Sequence, residues 1–129
     1  MPTSSIDNSN ILLVDDNMEN RELFKYIFQS EAHSISECRN GEEAVSTALT
    51  NKFDIIIMDI SMPIMDGYEA AKKIRVSNNY IPIVFWSSDD DRESKNKAIE
   101  SGGNYFIPKS FGSKNIITFI EMVLFHHKN

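Results

Sequence analysis

Four apolar runs in this chain each end on a residue that could do chemistry. Residues 11–14 lead into Asp15 and Asp16, residues 53–58 into Asp59, residues 81–86 into Ser87, and residues 104–108 into Lys109. If the runs are neighbouring parallel strands, their carboxyl ends meet at one edge of a sheet, where open α/β sheets place their ligand sites. Three carboxylates, a hydroxyl and an ammonium would then share one pocket. Hard oxygen donors of this kind hold Mg²⁺, the cation lets a carboxylate attack a phosphoryl group, and a lysine and a serine can contact the phosphoryl oxygens.

Each of these residues also has a plainer reading. Paired aspartates after a strand commonly make a turn or helix cap, and a lone serine after a strand commonly caps a helix. The run Asp89, Asp90, Asp91 reads as a solvated helix start, favoured there by the helix dipole. Trp86 and Phe85 read as strand packing, and His33 as a strand-edge residue. His126 and His127 lie at a fraying end, with no third ligand to make a metal site. Cys38, the single cysteine, reads as a small core residue.

The elements that must position these groups alternate along the chain. Asn17 or Asn20 can cap a first helix whose stripe is Leu23, Phe24, Ile27 and Phe28. A weak strand over residues 33–38 ends at Asn40-Gly41. The following helix buries Ala44, Val45, Ala48 and Leu49. Three consecutive isoleucines, Ile55 to Ile57, suit a strand buried on both faces of a parallel sheet. Gly67 precedes a helix with Tyr68, Ala71 and Ile74 inward, and Pro82 is tolerable only near the start of the fourth strand. A short polar helix opens in the aspartate run and ends at Gly102-Gly103. The last helix turns Ile116, Ile117, Ile120, Val123 and Leu124 inward. Five strands alternating with five helices predict an α/β doubly wound parallel sheet, order 2-1-3-4-5, which reverses its winding between the first and third strands.

At 129 residues the length suits one domain with a core that needs no disulfide. Residues 1–9 read as a disordered leader and residues 10–129 as the domain. A net charge of −6 argues against a nucleic-acid surface. No signal-peptide pattern and no apolar run near the ~20 residues of a membrane span are visible, so a cytoplasmic protein is expected.

Taken in order, Val14-Asp15-Asp16-Asn17, Met58-Asp59, Met62-Pro63, Met65-Asp66-Gly67, Ser87, and Lys109 after Gly102-Gly103 resemble the receiver domain of two-component response regulators over nearly the whole chain. With Asn20-Arg21 and Leu23, the wording is most similar to stand-alone receivers or those attached to hybrid kinases. The resemblance implies that Asp59 accepts a phosphoryl group from the phosphohistidine of a histidine kinase or a histidine phosphotransfer protein. It implies Mg²⁺ held by Asp16, Asp59 and the backbone carbonyl of Ser61, with Asp15 acting through water. Lys109 would pair with Asp59, then with a phosphoryl oxygen. Ser87 and Phe106 would carry the switch, and Ser61 and Asp89 would tune the phosphorylated lifetime.

Phe106 stands where the family more often has tyrosine, and Ser110 where it usually has proline, which leaves the geometry of the Lys109–Ser110 bond open. A downstream protein would dock on the face of the fourth helix, fifth strand and fifth helix, around Ile116 and Ile120. No nucleic acid or membrane partner is expected, and no enzymatic activity beyond the domain's own phosphorylation and dephosphorylation. The alternatives are a degenerate receiver that only docks, an aspartyl-phosphate phosphatase, and a flavodoxin-like cofactor binder. The phosphatase would need a second acid and a cap over its substrate, and the flavin binder a Ser/Thr/Gly-rich first loop.

Overall fold

A computed structural model describes residues 8–29, 33–89 and 91–128. The elements run β1 (Asn10–Val14), α1 (Met18–Ile27), β2 (Ser34–Cys38), α2 (Gly41–Thr50), β3 (Ile55–Met58), α3 (Gly67–Ser77), β4 (Ile83–Ser87), α4 (Arg92–Glu100), β5 (Tyr105–Pro108) and α5 (Ser113–Lys128). All strand pairs are parallel and the sheet order is β2-β1-β3-β4-β5, as expected. Most of the leader, residues 1–7, and Asp90 lie outside the described residues.

Alternation along the strands sorts the core into two layers. Ile11 and Leu13, Ile55 and Ile57, Val84 and Trp86, and Ile107 pack with Phe24, Ile27 and Phe28 of α1 and with Ile116, Ile120, Val123 and Leu124 of α5. Their strand neighbours Leu12 and Val14, Ile56 and Met58, and Ile83 and Phe85 pack with Ala44, Ala70, Ala71, Ile74 and Ala98 on the α2–α3–α4 side. Because successive side chains point to opposite faces of a sheet, every central strand must be apolar at every position.

Helix starts follow the capping residues. Asn17 caps α1 by accepting from the Asn20 amide, which settles the choice between the two asparagines. Asn40, Asp66 and Asp91 cap α2, α3 and α4 in the same way. Asp91 therefore ends the aspartate run as a cap, and Asp89 stays outside the helix.

Several inward assignments need correction. Leu23 is 49% exposed and Leu49 is 52% exposed. On α1 the inward place goes instead to Arg21, whose long stem can be buried while its guanidinium finds polar partners. Ala44 is the one fully buried member of the α2 stripe, with Val45 and Ala48 partly buried. Ile116 and Ile120 are buried in the core under α5, so they cannot form a docking surface. α5 does not fray at His126 or His127: the helix passes through both, and His127 Nε2 lies 3.1 Å from the Tyr105 hydroxyl.

Candidate functional site

The carboxyl ends of β1, β3 and β5 bring the expected residues together. Asp15 and Asp59 follow the last strand residues Val14 and Met58, which are direct partners in the sheet. The Asp59 amide donates to the Val14 carbonyl at 2.8 Å, and the Asp15 amide to the Cys38 carbonyl at 3.1 Å, so backbone bonds carry the strand register into the site. Asp15, Asp16 and Asp59 each offer a carboxylate oxygen, all within 4.8 Å of one another. Asp15 and Asp59 are buried and Asp16 is exposed. Hard oxygen ligands so close together suit a divalent cation such as Mg²⁺ better than they suit one another.

Lys109 bridges the two buried acids. Its Nζ lies 2.8 Å from Asp15 Oδ2 and 3.3 Å from Asp59 Oδ2. The closer partner is Asp15, where the sequence directs attention to Asp59. Asp15 is further held by the Asn17 amide at 2.9 Å and by Asn20 Nδ2 at 3.3 Å. Asp59 accepts from the Ile60 amide at 2.8 Å. Burial pushes the Asp59 carboxyl above its ordinary range. Lys109 opposes that rise, Asp15 adds to it, and the Ile60 amide opposes it again.

Ser87 is buried at the end of β4, its Oγ accepting from the Asp89 amide at 3.1 Å, while its carbonyl accepts from the Lys109 amide at 2.7 Å. Phe106 is half-buried against the α2–α3–α4 layer, beside β4 through its pairing with Phe85. Ser61 and Asp89 are exposed. No cis peptide occurs among the described residues, so the Lys109–Ser110 bond is trans.

The loop after Asp59 is fitted closely. The Gly67 amide bonds the Ile60 carbonyl at 2.8 Å and the Gly41 amide bonds the Met65 carbonyl at 3.0 Å. A Cβ on Gly67 would sit 2.3 Å from the Asp59 carbonyl oxygen, and one on Gly41 2.4 Å from that of Met65, so neither position admits a side chain. Between them Ile64 has φ 72°, left-handed backbone that a β-branched residue rarely adopts.

Two contributors escape a reading by residue type. The Arg21 guanidinium reaches up from α1, donating from Nη1 to the Asp15 carbonyl at 2.7 Å and from Nε to Glu37 on β2 at 3.0 Å. Trp86 lies under Lys109, the ammonium 5.2 Å from the indole centroid. The Asn20-Arg21 pair was visible as part of the family wording, whereas nothing local to Trp86 signals its contact.

Sheet order, acidic cluster and lysine together define a receiver. The chain belongs to the response regulator receiver domain family, which it matches over residues 11–121. It is 31% identical over 114 residues to the transcriptional regulatory protein SrrA of Staphylococcus aureus. That alignment covers 88% of this chain and 47% of the relative, so the chain spans about half the length of such relatives. Among solved structures, the Francisella response regulator 1452 receiver domain superposes with a TM-score of 0.83 at 26% identity, covering 91% of this chain and 97% of its own. The Vibrio cholerae chemotaxis protein CheY4 gives 0.84 at 25% identity, covering 90% and 98%. No helix among the described residues is long and apolar enough to cross a membrane.

Proposed function

We propose that this domain takes a phosphoryl group from the phosphohistidine of a histidine kinase or histidine phosphotransfer protein onto Asp59, and passes the signal on. The observation that carries this reading is the convergence of three carboxylates within 4.8 Å, two of them ion-paired to one lysine. In the transfer, an Asp59 carboxylate oxygen forms the bond to phosphorus as the P–N bond breaks, and the imidazole nitrogen keeps that electron pair. Asp15, Asp16 and Asp59 would hold Mg²⁺ with the Ser61 carbonyl, and the bound ion would supply charge to offset carboxylate and phosphoryl repulsion.

The chain's own groups do the rest. Lys109 favours the ionised, nucleophilic form of Asp59 against the burial that opposes it. After transfer its ammonium can follow the new negative charge. The Ser87 oxygen accepts from the Asp89 amide, which leaves the hydroxyl proton to be donated to a phosphoryl oxygen, and Phe106 packs beside the same strand. Water reaching the aspartyl phosphate would pass Ser61 and Asp89, both exposed at the mouth, so these set the lifetime. The domain turns over nothing except its own phosphoryl group, and works in the cytoplasm. A downstream protein would meet exposed residues of α4, β5 and α5 such as Ile99 rather than the buried Ile116 and Ile120.

Incubation with Mg²⁺ and phosphoramidate, followed by intact-mass measurement, tests the reading. Wild type should gain one phosphoryl group that alkali removes, and Asp59→Asn should gain none. An Asp59→Asn protein labelled at the wild-type rate would overturn the assignment, and an unlabelled wild type would favour a docking-only receiver.

A further inference from the structure

Side-chain alternation places Lys109 and Trp86 on the same face of the sheet. Trp86 is the register partner of Ile107, and Lys109 lies two residues beyond Ile107 on the same strand line. A diagonal neighbour of this kind is within reach of a long side chain. Asp15 and Asp59 fall on that face too, being two residues past Leu13 and Ile57, which belong to the α1–α5 layer with Trp86. The Lys109 ammonium is therefore boxed: carboxylates at 2.8 and 3.3 Å on one side, and an indole ring 5.2 Å from it to the centroid on another.

The indole itself is held by packing. It is 2% exposed, and Phe24 meets it edge-on with ring centroids 5.7 Å apart. Its Nε1 donates to no group among the described residues. A buried tryptophan ordinarily finds an acceptor for that proton. Here the polar contact shown for the indole is through its ring face, and the partner is the site's lysine.

We propose that Trp86 is a positioning residue for Lys109, its ring holding the ammonium in the pocket as charge on Asp59 changes during phosphoryl transfer. The proposal rests on the phosphoacceptor reading above and adds a residue that acts through the lysine rather than on the phosphoryl group. Tryptophan is the strongest of the aromatic cation partners, and desolvation at this depth strengthens the contact. Replacing the ring with an aliphatic side chain keeps the site apolar but leaves Lys109 with the carboxylates alone. Phenylalanine retains a smaller π face.

The test uses the whole chain as Trp86→Leu and Trp86→Phe, each also combined with Lys109→Gln. A ring above the ammonium shifts the Lys109 ε-methylene protons upfield. That shift should be present in wild type, reduced in Trp86→Phe and absent in Trp86→Leu. The rate of Asp59 labelling by phosphoramidate should fall about fivefold in Trp86→Leu, with Trp86→Phe recovering most of it. In the Lys109→Gln background neither Trp86 change should alter the residual rate further. An unshifted Lys109 in wild type overturns the proposal. So does a Trp86→Leu protein, folded by its amide spectrum, that labels at the wild-type rate or loses rate equally without the lysine. If Trp86→Leu does not fold, Trp86→Phe decides by the Lys109 proton shift, which should be smaller than in wild type; an undiminished shift there overturns the proposal. If wild type is never labelled, the phosphoacceptor reading fails, while the proton shift still tells whether the indole holds the lysine.

Discussion

Asp59 is the residue whose environment and role conflict most directly. Its carboxyl is raised above the ordinary range by burial first, and the native fold therefore binds a proton there more readily than the unfolded chain does. In the interval between the unfolded and the folded pKa, stability must then fall as pH rises, and the loss is complete above the folded value. Asp59→Asn removes that loss. In metal-free buffer, thermal melts should show the variant more stable than wild type at pH 7, with the gain shrinking as pH falls from the raised folded value toward the ordinary carboxylate range near ~4, and absent below it. Equal melting curves at pH 7 would contradict the assignment of strain to this carboxylate. Ile64 carries a second conflict, in its backbone. Left-handed φ costs an L-residue about 1–2 kcal/mol, and the side chain, 75% exposed, has little burial to lose. Glycine would relieve that cost but add about 0.5–1 kcal/mol of chain entropy on folding. Ile64→Gly should thus stabilise by about 0.5–1 kcal/mol in urea unfolding, whereas Ile64→Ala should not.

Between elements, the link from α1 to β2 matters most to the site. Arg21 ties the Asp15 carbonyl to Glu37, and Lys25 reaches the other Glu37 oxygen at 3.0 Å. Lys25 first, then Arg21, hold the Glu37 carboxyl below its usual range. A depressed carboxylate contributes stability at pH values above its unfolded pKa and loses it as pH falls through the folded one. Glu37→Gln should therefore lower the melting temperature at pH 7, and the difference should vanish in strong acid. Added salt should weaken the Lys25 part first, since that ammonium is the more exposed of the two cations. A Glu37→Gln penalty that persisted below both pKa values would mean the side chain acts by packing. Arg21→Lys should not substitute, because an ammonium cannot offer the same planar fork to a carbonyl and a carboxylate.

At the scale of the molecule, what was legible in the sequence is what depends on period and order. The Ile55–Ile57 run, the asparagine cap on α1 and the strand–helix alternation state the sheet almost directly, and with it the meeting of Asp15, Asp16, Asp59 and Lys109. What stayed hidden depends on register and on competition for burial. Leu23 loses its inward place to Arg21 because a carbonyl and a carboxylate wait at the end of that long stem. Trp86 meets Lys109 only once β4 and β5 are paired. The clustered carboxylates also make a prediction for the whole fold: a ligand that binds only the native state stabilises it, by about 1.4 kcal/mol at ten times its dissociation constant. Millimolar Mg²⁺ should raise the melting temperature of wild type and leave Asp16→Asn nearly unmoved, and a metal-independent wild type would count against the site. The two-layered core has one more consequence. Trp86, which meets the site lysine, packs in the α1–α5 layer, whereas its strand neighbour Phe85 packs in the other, where Phe106 also lies. A charge placed at the carboxyl edge of the sheet therefore bears on both layers at once, through the tryptophan on one face and the two phenylalanines on the other.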